Sequence, residues 1–330
     1  MALLLNRLDA KFDRMRESLP NPLFINALPW SAHFPQKTQM QQLSTLLNTP
    51  ILFSALAGVI GLLVGSFLNV VIYRLPIMMQ RGWRKECAAY LQIDPEVTQA
   101  EEPFNLVFPL SRCPGCNTPI KPYQNIPVIS YLFLRGKCAA CACRISMRYP
   151  VIEALTAITS IIVAWHFGYT AQAGFALLLT WSLITLTFID IDHQLLPDSI
   201  TLPLLWLGMC LSLFNIFTDA HASIIGAVAG YTALWAVFHL FKLATGKEGM
   251  GYGDFKLLAL FGAWLGWQYL PIIILLSSLV GAVIGLSMII FVKHDHNVPI
   301  PFGPYLAAAG WIALLWGSDL NQLYLTSVGL

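Results

Sequence analysis

The chain has 330 residues, 57% of them hydrophobic and only 11% charged, with a mean hydropathy of +0.65. Soluble domains carry about 25% charged residues, so the composition excludes an ordinary soluble enzyme and predicts an all-α polytopic membrane protein. The net charge of +2 gives no electrostatic footprint for nucleic acid.

Residues 1–50 are polar, broken by prolines and without the apolar core of a signal peptide. A short amphipathic helix over 3–18 would carry Arg7, Lys11 and Arg14 on its polar side, but the segment reads as a poorly ordered extension, and Met40 is an alternative start. The first span is 51–73, meeting the ~20 apolar residues a bilayer crossing needs. Within it, Gly65 and Ser66 predict close helix packing, and Asn69 predicts a buried helix–helix hydrogen bond. Residues 74–149 hold ten of the 19 Lys and Arg residues and form the one large polar segment, a domain inserted between the first and second spans.

Seven more apolar runs lie near 150–167, 172–190, 199–217, 222–241, 254–270, 271–291 and 302–317, the sixth and seventh spans being divided at Pro271. About eight transmembrane helices result, with 150–317 as a seven-helix core and 318–330 as a tail. Lys and Arg number ten, zero, two and one in the connections 74–149, 191–198, 242–253 and 292–301, and none in the connections on the other side. The basic side faces the cytoplasm, which puts the tail in the periplasm. The five basic residues of 1–50 disagree with this orientation, and the large basic segment outweighs them.

That orientation brings two acids to one membrane level. Asp190 closes the third span, and Asp254 opens the sixth after Gly249-Met250-Gly251-Tyr252-Gly253. Ionisable groups at such positions are functional candidates, and the three glycines leave room for another backbone. Two adjacent carboxylates share a proton. One then deprotonates water while the other polarises a carbonyl, which is aspartic peptidase chemistry. The plain alternative is two unrelated interfacial acids. Asp192 lies two residues beyond Asp190, on nearly the opposite side of a helix. Asp198 follows Pro197 at a helix start and suits a capping role. His193 stands alone at the interface. Glu153 enters the second span, where a structural pairing with Arg148 or Lys256 is expected.

Five of the seven cysteines fall between Cys113 and Cys143. Cys113-Pro114-Gly115-Cys116 and Cys138-Ala139-Ala140-Cys141 are two Cys-x-x-Cys knuckles that close a tetrahedral zinc site. Four thiolates leave no open position, so the metal is structural, and a reducing cytoplasm keeps the thiols free for it. Cys143 is a nearby competing thiol; Cys87 and Cys210 are bystanders. The rival reading is a redox dithiol pair. Between the knuckles, 125–137 reads as apolar packing for a small metal-stapled domain, docked on the membrane. No dinucleotide or adenosyl-methionine glycine fingerprint follows a predicted strand.

Together, Gly65-Ser66-Phe67-Leu68-Asn69-Val70-Val71-Ile72-Tyr73-Arg74-Leu75-Pro76, the two knuckles, Asn125-Ile126-Pro127, Ser130-Tyr131-Leu132, Arg148-Tyr149-Pro150, the Asp190 segment and Gly251-Tyr252-Gly253-Asp254 resemble a type IV prepilin peptidase, a membrane aspartic peptidase of the GxGD type. The resemblance covers about 51–317. It implies a bifunctional enzyme of the bacterial inner membrane. Such an enzyme cuts the basic leader of type IV prepilins or type II secretion pseudopilins after glycine at the cytoplasmic face. It then N-methylates the new terminus, usually phenylalanine, from S-adenosyl-methionine. The resemblance matches Asp190 and Asp254 to the family's catalytic aspartates. It matches Cys113, Cys116, Cys138 and Cys141 to its zinc ligands. Residues for the methyl donor are not readable. The competing classes are a peptidase without methylation, an ion- or proton-coupled transporter with Asp190 and Asp254 as relays, and a membrane thiol–disulfide oxidoreductase.

Overall fold

A computed structural model describes residues 49–92, 104–247, 249–292 and 301–328, so the extension expected over 1–50 lies almost wholly outside the described residues. Among these the regular structure is helical, with no strand and two isolated bridges. The α-helices are α1 (Pro50–Tyr90), α2 (Ile129–Phe133), α3 (Arg148–Phe167), α4 (Ala171–His193), α5 (Asp198–Ser212), α6 (Ala220–Thr245), α7 (Tyr252–Leu265), α8 (Leu270–Val292) and α9 (Gly303–Val328). Helices α1, α3, α4, α6 and the stretch Trp267–Ser287 are long and apolar enough to cross a membrane. The protein is an all-α polytopic membrane protein with a small cysteine-bearing segment.

Helix α7 is the centre of the bundle. Its 14 residues rise only about 21 Å, short of a ~30 Å hydrocarbon core. Every residue from Leu257 to Leu265 is buried. A helix apolar on all sides belongs inside a bundle, and its neighbours hold it from several directions. The Trp264 indole donates to the Leu204 carbonyl of α5 (2.8 Å), and the Ser223 hydroxyl of α6 to the Ala263 carbonyl (2.7 Å). Gly226 and Gly262 face each other backbone to backbone, leaving no space for a Cβ on either. From α9, Gly310 accepts the Phe261 ring.

A second glycine row joins α1 to α3. Gly58, Gly61 and Gly65 abut Ile161, Ala157 with Ser160, and Glu153. The close packing expected at Gly65 is present: an added Cβ would lie 2.8 Å from the Glu153 Cα. Asn69 makes its expected interhelical bond, donating to the Tyr149 carbonyl (3.3 Å) and also to the Gly65 carbonyl of its own helix (3.1 Å).

Two boundaries differ from the sequence reading. Helix α1 does not stop near Tyr73 but runs through Pro76 to Tyr90. A proline inside a helix removes one backbone bond, yet tertiary contacts hold this region. The buried Arg74 donates to the carbonyls of Asn105 (2.9 Å) and Pro109 (2.5 Å). Helix α7 ends at Gly266 (φ 91), a 3₁₀ turn covers Trp267–Tyr269, and Pro271 sits in the first turn of α8, where its missing N–H is not needed. The last run breaks where expected, with non-helical angles at Trp316 (φ −123°, ψ 20°), and a further helical stretch reaches Val328.

Candidate active site and metal centre

The C-terminal turn of α4 and the starts of α5, α7 and α9 meet at one end of the bundle. Asp190 lies in the last turn of α4 and Asp254 in the first turn of α7, and each is only 6% exposed. Leu196, in the α4–α5 connection, sits between the elements that carry them. Its Cδ1 is 3.2 Å from where a Cβ on Gly253 would stand and 3.3 Å from the same point on Gly303.

Gly303 is a site residue that the sequence reading missed. Its N–H, at the start of α9, donates to Asp190 Oδ2 at 3.1 Å. The available signal was Pro301-Phe302-Gly303-Pro304, a turn-to-helix pattern that says nothing about its partner.

The glycines before Asp254 play a different part from the one expected. Gly249 gives way to the Phe241 ring and Gly253 to Leu196, so side chains rather than a backbone fill those spaces. Gly251 is open: a Cβ there would meet nothing closer than Asp254 Oδ2 at 3.9 Å.

The other nearby acids are engaged elsewhere. Asp192 takes a two-pronged bond from Arg148 (2.8 and 2.5 Å), whose guanidinium also lies over the Phe188 ring. Asp198 sits in the first turn of α5 as expected, but its carboxylate binds Lys256 (both oxygens at 2.7 Å) and caps no amide. With Arg148 and Lys256 so occupied, the expected ion pair of Glu153 does not form. Glu153 is 8% exposed and accepts the Val128 N–H at 2.7 Å, with the Ser66 hydroxyl also reaching it. Val128 holds φ 58, a conformation a β-branched residue keeps only when its surroundings impose it.

The cysteine segment brings all four knuckle thiols together. The sulfurs of Cys113, Cys116, Cys138 and Cys141 lie within 4.8 Å of one another. A tetrahedron of ~2.3 Å zinc–sulfur bonds has edges of about 3.8 Å, and the Cys113–Cys141 sulfur separation is 3.8 Å. Amides of Gly115 and Cys116 point at the Cys113 sulfur and hold its thiol below the usual range. Amides of Cys141 and Ala140 do the same for Cys138. A donor set of four clustered thiols with amide support fits a structural zinc ion. Between the knuckles Ser130 is buried, whereas Leu132 is 68% and Phe133 85% exposed.

Two family models match the chain. One, described as the Bacterial Peptidase A24 N-terminal domain, matches residues 59–167; the other, the Type IV leader peptidase family, matches 177–286. A prepilin leader peptidase/N-methyltransferase of Stutzerimonas stutzeri is 56% identical over 286 residues, covering 87% of this chain and 98% of the relative. The chain belongs to the type IV leader peptidase family. A relative of the same name in Pseudomonas aeruginosa is 55% identical over 290 residues (88% of this chain, 99% of the relative). Another in Legionella pneumophila is 45% identical over 280 residues (85% and 97%). No solved structure matches the chain. The cysteine segment, most of α1 and all of α3 fall in the first matched region, and Asp190 and Asp254 in the second.

Proposed function

We propose that this chain is a membrane aspartic endopeptidase that removes the basic leader of type IV prepilins or type II secretion pseudopilins after glycine. It then N-methylates the exposed terminus, usually phenylalanine, with S-adenosyl-methionine. Asp190 and Asp254 are the catalytic pair. The observation that carries this is their burial together where α4, α7 and α9 meet, in a chain of the leader peptidase family.

The chemistry follows from the arrangement. Two adjacent acids hold one proton between them. The ionised carboxylate takes a proton from water, and the protonated one donates to the scissile carbonyl oxygen. The resulting tetrahedral intermediate collapses as the leaving amine is protonated. The Gly303 N–H fixes the Asp190 carboxylate, and the open flank at Gly251 leaves space for an extended substrate backbone beside Asp254. The basic connections support a cytoplasmic position for this end of the bundle in the bacterial inner membrane. A leader-to-helix junction would meet the pair there, with the substrate's apolar helix in the bilayer.

Cys113, Cys116, Cys138 and Cys141 would hold zinc as a fold-forming staple. S-adenosyl-methionine supplies the methyl group.

Mass spectrometry of a co-expressed prepilin tests the proposal. Wild type should yield a product lacking the leader and carrying one added methyl. Asp254→Asn should lower cleavage roughly 10²–10⁴-fold while the protein still inserts and folds. Normal processing by that variant would overturn the catalytic pair. Intact substrate with both proteins would favour the transporter reading.

A further inference from the structure

The two knuckles are built alike, and the likeness isolates one difference. Asn117 (φ 56) and Ala142 (φ 58) follow the second cysteine of each. Their amides donate to the carbonyls of Cys113 (2.9 Å) and Cys138 (3.0 Å). The amides of Cys113 and Cys138 in turn donate to the carbonyls of Thr118 (3.0 Å) and Cys143 (2.9 Å). Thr118 and Cys143 are therefore counterparts. Thr118 presents a hydroxyl, which takes the Cys116 thiol at 3.2 Å. Cys143 presents a fifth thiol.

That thiol points into the cluster. Its sulfur is 3.4 Å from Cys113 Sγ, nearer than the Cys141 sulfur at 3.8 Å. It contacts the side chains of Cys113 and Cys141. Gly115 makes this possible, since a Cβ there would lie 3.2 Å from Cys143 Sγ. Cys116 instead leans on Thr118, and Cys143 stands outside the four-thiol group.

We propose that Cys143 is a reserve zinc ligand, completing a second four-thiolate set with Cys113, Cys138 and Cys141 when Cys116 is lost. This rests on the reading of the knuckles as a zinc site. Structural zinc is held tetrahedrally by four ligands, and its filled d shell sets no preference for one thiolate over another. Exchanging one thiolate for another keeps ligand count and charge, and three of the four bonds stay in place. No redox step is involved. The site thereby tolerates loss of Cys116 but not of Cys138, an asymmetry that four equivalent ligands would not show.

The test is zinc per chain in purified full-length protein in detergent, by plasma mass spectrometry. Wild type, Cys116→Ser and Cys143→Ser should each hold about one zinc, as a closed four-ligand site requires. The double variant Cys116→Ser/Cys143→Ser, and Cys138→Ser, should hold roughly tenfold less. Release of zinc to a chelator supplies a second readout on a chain that keeps all four knuckle cysteines. Cys143→Ser should release it several times faster than wild type, because nothing recaptures the metal when Cys116 lets go. Cys116→Ser as poor in zinc as the double variant, with equal release rates for Cys143→Ser and wild type, would overturn the reserve ligand. Wild type without zinc would overturn the metal site itself, and the proposal with it.

Discussion

A methyl group on Gly303 would lie 2.6 Å from Asp190 Oδ2 and 3.1 Å from its Cγ, with Leu196 Cδ1 at 3.3 Å on the other side. These atoms cannot all stay where they are. Asp190 is held by its own buried helix and Leu196 by the loop between α4 and α5, so the carboxylate or the α9 terminus must shift. Misplacement near 1 Å at a reacting group lowers rate roughly 100-fold. Gly303→Ala should therefore reduce leader cleavage by about that factor, with an overpacking cost of about 1–3 kcal/mol in stability and no backbone penalty, because its angles do not call for glycine. Cleavage of purified prepilin by that variant, followed by gel shift, checks it. A wild-type rate would mean that Gly303 does not position the acid.

The helices as elements show what the sequence made visible and what it hid. Each apolar run marked a real helix, because a bilayer or a buried bundle interior demands continuous apolar surface. Asp190 and Asp254 were conspicuous because an acid beside such a run is costly. Helix ends were harder. Pro271 marked the start of α8 to within a residue, but Gly266 with its positive φ had already ended α7. The partner of Glu153 was hidden too. The expected cations are occupied by Asp192 and Asp198, and the actual donor is a backbone amide 25 residues away, which no pattern encodes. The α6–α7 contact belongs here as well. Gly226 and Gly262 touch through backbone, so neither can yield by a rotamer change. Gly262→Val should destabilise the protein by about 1–3 kcal/mol and displace α7 with its acid. Gly174→Val on α4, where nothing lies within 4 Å, should be tolerated. Thermal melting of both in detergent distinguishes them, and equal melting would show that the two helices part without cost.

At the scale of the whole molecule, the question is how firmly the cysteine segment and the membrane core depend on each other. Polar bonds near their junction are of two kinds, and only one kind joins them. Arg148 and Asp192 both belong to membrane helices, α3 and α4, so their ion pair survives loosening of the segment. The bonds from Arg74 to Asn105 and Pro109, and from Val128 to Glu153, reach into the segment and are lost with it. Losing the Val128 amide leaves a buried carboxyl short of a donor, worth about 1–3 kcal/mol. That is a strain on α3, not on the helices that carry Asp190 and Asp254. Stripping the metal with a chelator, or replacing Cys113 by serine, should therefore open 104–147 to protease and abolish methylation. Cleavage should fall only severalfold, and readded zinc should restore protection to the chelated wild type. Limited proteolysis alongside both product masses measures all three quantities at once. If cleavage and methylation decline in parallel as zinc is removed, the metal segment holds up the peptidase site as well, and the division of labour drawn here fails.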